Sequence, residues 1–489
     1  MKLSQLLKVV RPLDLTGPEE VEITGLSSFS QKVERGFLFA ALKGQKHDGV
    51  QFVNEARERG AVAILSETKP PVNWPLTWVR VADARESLAL LAAEFYGHPS
   101  KSLKVIGITG TKGKTTITYL LEAIIEKAGG KPGVIGTINY RGPGISQQAL
   151  RTTPEAPELQ KIMRTFLDHG GTHAILEVSS HSLVLKRVVG VHFDVALFTN
   201  LSPEHLDFHP TLEDYFEAKK KLFFLNTKKR TAVVNHDDPY GKSLIAELHM
   251  TTVTFGFEPQ ALIRAAQTKF SEKETTILID YPGGEIELVT PLLGRHNVYN
   301  ILAAFAAGLV LNLDVAAIVA GISAVEKVPG RLEKIENKLG LSIFVDYAHT
   351  EAALRSVLET LRSLNHKRII LVFGCGGDRD KGKRPKMGQV AGELADIIII
   401  TSDNPRSEDP LAIIAEVENG LRLTGVKQYF VEPDRRQAIW QALNLARKGD
   451  ALLVAGKGHE EYQEIKGQKI PFKDNEVIRE LLKEFEEGP

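Results

Sequence analysis

The sequence predicts an α/β chain of three domains, the middle one built on a mostly parallel sheet. Three observations carry that expectation. At 489 residues the chain exceeds what one ordinary core holds, and length alone favours about three domains. The segment Val105-Ile-Gly-Ile-Thr-Gly-Thr-Lys-Gly-Lys-Thr-Thr116 passes from an apolar strand pattern through a glycine-rich turn into a helical pattern over 117–125. The last third of the chain then repeats one arrangement four times, an apolar run that ends in a polar cluster. Buried parallel strands read as such continuous runs, and their ligands collect beyond the carboxyl ends.

Each block follows from the local pattern. Residues 1–97 hold short apolar runs at 36–42, 61–65 and 77–81 and a helical pattern at 87–96, closed by the turn-rich Gly97-His-Pro-Ser-Lys-Ser102. Residues 98–327 alternate strand candidates (174–178, 195–199, 232–235) with helical patterns, the signature of βαβ units. Val328-Pro-Gly-Arg331 marks the next boundary, and residues 328–489 form the last block. Its four runs are 342–345, 369–373, 397–400 and 452–455. They lead into Asp346-Tyr-Ala-His349, Gly374-Cys-Gly-Gly-Asp-Arg379, Thr401-Ser-Asp-Asn-Pro-Arg406 and Gly456-Lys-Gly-His-Glu460. Four clusters at four strand ends point to one crevice.

Composition narrows the function classes. Lys plus Arg equals Asp plus Glu at 61 each, so no basic surplus calls for nucleic acid. The single Cys375 excludes an internal disulfide framework and fits a reducing compartment. Lys8 and Arg11 interrupt the N-terminal apolar stretch, and no run approaches the roughly 18 apolar residues of a membrane span. The expectation is a cytoplasmic protein without membrane insertion.

The glycine-rich turn is the strongest chemical signal. Glycines let backbone amides curl toward a phosphate, Lys114 adds a point charge, and the Thr115 hydroxyl suits Mg²⁺. Its spacing departs from an ordinary P-loop, since Gly110 leaves only two residues before the Gly113-Lys114 pair. Glu177 ends a strand on the same edge and suits a metal that bridges nucleotide phosphates, or is a solvated strand-end carboxylate. His205 and His209 stand four apart, but Pro203 precedes them and no cysteine assists, which disfavours structural zinc. His205 reads better as a ligand near a nucleotide-bound metal, and His209 as a capping or packing residue. Lys219 lies among three consecutive lysines, which by themselves read as a solvated helix face. Gly294-Arg-His-Asn297 opens an apolar helix, either to meet a nucleotide or as ordinary capping.

Together these motifs resemble the Mur ligases, the ATP-dependent amide-forming enzymes of peptidoglycan precursor assembly. Gly110-Thr-Lys-Gly-Lys-Thr-Thr116 has that family's compressed loop. Glu177, His205, Asn297, Arg331 and Asp346 stand in the order of its shared catalytic set, beside Lys114 and Lys219. The resemblance spans essentially the whole chain. It implies an N-terminal UDP-sugar-binding α/β domain, a central P-loop ATPase domain and a C-terminal Rossmann-like domain.

Within the family, Thr152-Thr-Pro154, Glu177-Val-Ser-Ser-His-Ser-Leu183 and Asp346-Tyr-Ala-His-Thr350 resemble the branch that adds the third peptide residue. Asp403-Asn-Pro-Arg406 matches the pattern for meso-diaminopimelate rather than L-lysine. The resemblance implies that Gly110, Thr111, Lys112, Gly113, Lys114, Thr115, Thr116, Asn297 and Arg331 bind ATP. Thr115, Glu177, His205 and a carbamylated Lys219 would form the Mg²⁺ region. Ser30, Thr152, Thr153, Ser179 and Arg187 would contact UDP-N-acetylmuramoyl-L-alanyl-D-glutamate. Arg379, Asp403, Asn404, Pro405, Arg406, Gly456 and Glu460 would hold diaminopimelate. Phe29-Ser30-Gln31 replaces the usual Asp-Ser-Arg, Leu185 a substrate-binding Gln, and Glu351 a Pro. The implied protein is a monomer. The rival readings are the same ligase with L-lysine or another diamine, a folylpolyglutamate synthetase, and a nucleotide-dependent switch without amide chemistry.

Overall fold

A computed structural model of the protein describes residues 1–44, 47–225, 230–426 and 428–487. Three sheets, one per sequence block, organise the chain. The first has five strands in the order Asp14–Thr16, Thr77–Arg80, Ala63–Ser66, Phe37–Ala40, Gly25–Ser27. All neighbours run parallel except the Asp14–Thr16 edge. Leu38, Leu65 and Val79 face the helix Ala84–Phe95, while Phe39, Ile64 and Trp78 face the other side. Asp83 starts that helix by accepting from the Glu86 N–H, three residues before the patterned stretch begins.

The central sheet has eleven strands. Within it, Lys104–Thr109 lies between His173–Glu177 and Val195–Phe198, parallel to both. The strand order thus reverses about this strand, which opens a crevice at its carboxyl end. Further strands extend both edges: the antiparallel hairpin Asn139–Gly142 and Ile145–Gln148 on one, and on the other Ile263–Phe270, parallel to Thr252–Gly256, followed by the antiparallel Thr275–Tyr281 and Gly284–Thr290. None of these was evident in the sequence, because their strands carry polar residues on a solvated face. Helices Lys114–Lys127, Arg295–Val310 and Val315–Ala324 cover one face. Ala156–Asp168 and Leu212–Phe224 cover the other.

The last sheet orders its strands Glu333–Ile335, Ser342–Asp346, Ala451–Ala455, Ile369–Phe373, Ile397–Ile400, Tyr429–Val431. Only the first pairing is antiparallel. The four apolar runs are therefore adjacent parallel strands, with Asp346 level with Ala455 and Phe373 level with Ile400. Their polar clusters share one edge. A small hairpin, Tyr462–Ile465 and Gln468–Pro471, stands beside that edge. Among the described residues no helix is long and apolar enough to cross a membrane.

Candidate active site

The strand Lys104–Thr109 breaks at Gly110 and resumes as helix at Lys114. Two glycines make the turn possible. Gly113 has φ +89°, and a Cβ there would meet Asn300 Oδ1 at 2.2 Å. Gly110 has φ +137°, and its Cβ would meet Thr199 Oγ1 at 1.9 Å. Lys114 folds over the loop, its Nζ donating to the carbonyls of Gly110 (2.7 Å) and Thr111 (2.9 Å). Burial lowers its pKa, an effect that Glu177 opposes.

Lys219 reaches the same loop from the helix Leu212–Phe224 on the opposite face of the sheet. It is 1% exposed, and its Nζ donates to the Gly110 carbonyl at 2.8 Å and lies 4.4 Å from the Tyr215 ring centroid. Burial, and then the Lys114 charge, push its amine well below the ordinary lysine value. The solvated-face reading of Lys219 is therefore wrong. Tyr215, Ala218, Lys219, Leu222 and Phe223 are all buried, the i, i+3, i+4, i+7, i+8 stripe of a helix, so periodicity singled out this lysine among three. Its neighbour Lys220 turns out to Glu217 and Glu247.

Glu177 is buried at the carboxyl end of its strand and gathers hydroxyls. It accepts from Thr115 Oγ1 (3.1 Å), Thr137 Oγ1 (2.8 Å) and the Thr137 N–H (2.9 Å). Thr137 was not singled out by the sequence and links on to Thr152 Oγ1 at 3.1 Å. Arg331, from the segment joining the second and third blocks, donates to Thr115 Oγ1 at 3.4 Å and lies over the Tyr347 ring. Asp346 accepts the Leu332 N–H at 2.6 Å and so fixes the backbone beside Arg331; burial raises its carboxyl pKa and Arg331 opposes that. Asn297 is buried, donating to the Leu293 carbonyl and accepting from Asn300, the residue against Gly113. The Asn297-x-x-Asn300 spacing was a signal for Asn300.

His205 stands on the exposed loop after Phe198, edge-on to His181 and Tyr215. The buried His209 binds Ser180 Oγ at 2.9 Å, and burial lowers its pKa to about 4. It packs, as expected. Glu204, unremarked in the sequence, joins Lys112 Nζ and His349 Nε2, both at 3.2 Å, and so ties the phosphate loop to the third block. Although burial opposes it, Lys112 and His349 hold its carboxyl well below the usual range.

Thr153 donates to the Glu177 carbonyl at 2.7 Å and lies 3.3 Å from Ser179 Oγ; Arg187 pairs with Glu155 and donates to the Thr153 carbonyl. Glu155, the partner of Arg187, lines a cavity of about 700 Å³ between the first sheet and the helix Ala156–Asp168. Phe29 and Lys32 line one wall, Glu158 and Lys161 the other. Ser30 is buried beside it, bound to Glu55 at 2.8 Å.

At the third sheet, Lys457 is fully buried and draws the cluster together. Its Nζ donates to Asn404 Oδ1 (3.1 Å) and Glu460 Oε2 (3.0 Å) and sits 3.7 Å from Asp403 Oδ1, a buried oxygen with no hydrogen-bond partner. Gly456, at φ +112°, leaves room for Asp403. Arg406 follows Pro405 with φ +53°; its Nη1 donates to the Gly377 carbonyl at 2.6 Å and its Nε pairs with Glu464. Neither Glu408 nor Asp409 takes Arg406; Glu408 pairs with Arg384 and Lys381. Arg379 stands apart, exposed and donating to the adjacent Asp378 carbonyl.

Three family models match the chain: the Mur ligase middle domain over residues 108–308, the Mur ligase glutamate ligase domain over 330–458, and the Mur ligase family catalytic domain over 22–96. A UDP-N-acetylmuramoyl-L-alanyl-D-glutamate–2,6-diaminopimelate ligase of Geobacter metallireducens is 45% identical over 505 residues, covering 99% of each chain. A solved structure of a ligase with that same description superposes with a TM-score of 0.71 at 33% identity, covering 99% of this chain and 100% of the other. A Mycobacterium tuberculosis folylpolyglutamate synthase complexed with ADP and AMPPCP reaches 0.62 at 19% identity over 76% of this chain, a likeness of fold alone.

Proposed function

The chain belongs to the Mur ligase family, and we propose that it joins meso-diaminopimelate to the D-glutamate γ-carboxylate of UDP-N-acetylmuramoyl-L-alanyl-D-glutamate at the expense of ATP. The γ-carboxylate oxygen attacks the terminal phosphorus of ATP, ADP leaves, and an acyl phosphate forms. The free amine attacks the acyl carbon, a tetrahedral intermediate collapses, and phosphate departs with the amine proton lost to solvent. Residues 1–97 would hold the nucleotide sugar, 98–327 ATP, and 328–489 the amine, in a cytoplasmic monomer.

The observation that carries the reading is Arg331. It touches Thr115 of the phosphate loop from the segment that leads directly into the third sheet. This contact supports a site in which the ATP end and the amine end act together.

The loop amides with Lys112, Lys114 and Arg331 would stabilise charge on the transferring phosphoryl group, since such catalysis is mostly positioning and electrostatics. Thr115 and Glu177 place a hydroxyl and a carboxylate 3.1 Å apart, a donor set that fits a hard cation, with His205 and a carbamylated Lys219 completing the region. Mg²⁺ bound there supplies positive charge toward the phosphates. The buried, suppressed amine of Lys219 supports carbamylation, because only a neutral amine reacts with CO₂. Asn297 and Asp346 hold the backbone on which the nucleotide would rest.

Phosphate release tests the proposal. It should require the muramoyl dipeptide and meso-diaminopimelate together, fall with L-lysine, and stop without an amine. Steady ATP hydrolysis by the protein alone would support the switch reading instead.

A further inference from the structure

The hairpin Tyr462–Ile465 and Gln468–Pro471 is bound to the Asp403-Asn-Pro-Arg406 turn by four hydrogen bonds. Arg406 N–H donates to the Glu464 carbonyl (2.9 Å), and Lys466 N–H to the Arg406 carbonyl (2.7 Å). Glu464 N–H donates to Asn404 Oδ1 (2.9 Å), and the Gln463 amide to the Asp403 carbonyl (2.9 Å). Arg406 needs this splint, because φ +53° is costly for an arginine unless surrounding contacts impose it.

The side chain is constrained as well as the backbone. Arg406 lies over Gly376, whose Cβ would come within 3.0 Å of Nη1. Nη1 is held by the Gly377 carbonyl, and Nε lies 3.3 Å from Glu464 Oε2. Nη2 has no hydrogen-bond partner among the described residues. A guanidinium is a planar fork, so fixing two of its nitrogens fixes the direction of the third.

We infer that Glu464 is a specificity-determining positioning residue, holding the Nε edge of Arg406 so that Nη2 is left for the distal carboxylate of the incoming diamino acid. The inference rests on the diaminopimelate reading of this site. Glu464 acts through Arg406 and does not touch the reacting atoms. A distal carboxylate meets a donor already aimed, whereas a lysine side chain gains nothing from the aim.

The test is steady-state kinetics of the full-length enzyme with both amines, on wild type, Glu464→Ala, Glu464→Gln, Arg406→Ala and the double alanine variant. Loosening an aimed donor should raise KM for diaminopimelate in Glu464→Ala by about tenfold, with kcat little changed and the preference over lysine narrowed. Glu464→Gln, whose uncharged amide oxygen can stand where the carboxylate oxygen does, should stay within about threefold of wild type. In the Arg406→Ala background the Glu464→Ala change should add nothing, because its effect passes through Arg406. An unchanged KM in Glu464→Ala, a lowered KM, or full additivity in the double variant each overturns the inference. A wild-type preference for lysine overturns the substrate reading and this inference with it. A wild-type preference for diaminopimelate that is undiminished in Glu464→Ala overturns the inference alone.

Discussion

Lys219→Ala separates the structural role of that lysine from its chemical one. The structural cost is bounded by what the side chain touches. Its stem is buried against the Tyr215 ring, and its Nζ donates to the Gly110 carbonyl, which keeps Lys114 as a second donor at 2.7 Å. Truncation loses three methylenes, about 2 kcal/mol of burial, and relieves the desolvation of an amine beside a second lysine. The variant should therefore fold with a modest loss of stability. The catalytic cost is larger. If the CO₂ adduct of this amine supplies anionic oxygen to the Mg²⁺ region, its loss resembles removal of one electrostatic donor, about 3–4 kcal/mol or a few hundredfold in kcat.

Phosphate release with both co-substrates measures this, in buffer depleted of CO₂ and in buffer with bicarbonate. Acetate or formate should partly restore the Ala variant, because the emptied space lies where the carbamate oxygens would be. Lys219→Arg keeps a cation and cannot form the adduct, so it should be inactive and not rescued. Since CO₂ adds only to the neutral amine and burial keeps Lys219 neutral well below the ordinary lysine range, reactivation of depleted wild type at a fixed CO₂ concentration should already be efficient near neutral pH. Wild-type rates in the Ala variant, or activity retained in the Arg variant, would refute the carbamate argument.

Three other outcomes follow from the geometry. Arg406→Ala should lower kcat/KM for diaminopimelate far more than for lysine, narrowing the ratio by roughly tenfold to a hundredfold, because one nitrogen rather than two is open to the ligand. Asp474→Ala leaves the fully buried Arg435 without its carboxylate and should cost about 3–5 kcal/mol in chemical denaturation; it should also raise the amine KM, since Arg435 braces the Ala455 and Ser402 carbonyls. His209, held near 4 against an ordinary 6.5, refuses a proton that the unfolded chain accepts. Stability should fall as pH drops from 6.5 toward 4, by up to about 3 kcal/mol from this residue, and His209→Gln should flatten that part of the profile.

What could be read in the sequence was whatever local pattern records. Glycines announced the phosphate turn because no other residue takes φ +89° against Asn300. The four apolar runs announced the third sheet because strands covered on both faces carry no polar alternation. Contacts made at long range left weaker traces. Glu204 looked like one acidic residue in a polar loop, and only the arrival of His349 from 145 positions later makes it a junction. Thr137 had no signal at all, since a threonine in a turn is ordinary and Glu177 reaches it from an adjacent strand. The hairpin that binds Arg406 was missed because its strands are short and polar, and only the Lys466-Gly467 turn marks it.

The segment between the second and third sheets favours a synthetase over a switch. Gly330 has φ +63°, and a Cβ there would sit 2.2 Å from the His459 backbone nitrogen, so the linker is pressed against the strand-end loop that carries Lys457 and Glu460. The next residue, Arg331, reaches Thr115. Leu332, at φ +46°, is held in that unfavourable conformation by its bond to Asp346. Three consecutive residues thus contact the 456–460 loop, the phosphate loop and the carboxyl end of the Ser342–Asp346 strand. A nucleotide switch needs its phosphate loop to report to a mobile surface. A ligase that makes an acyl phosphate needs the amine to be in place when that phosphate forms, and a strained linker between the phosphate loop and the proposed amine site meets that need.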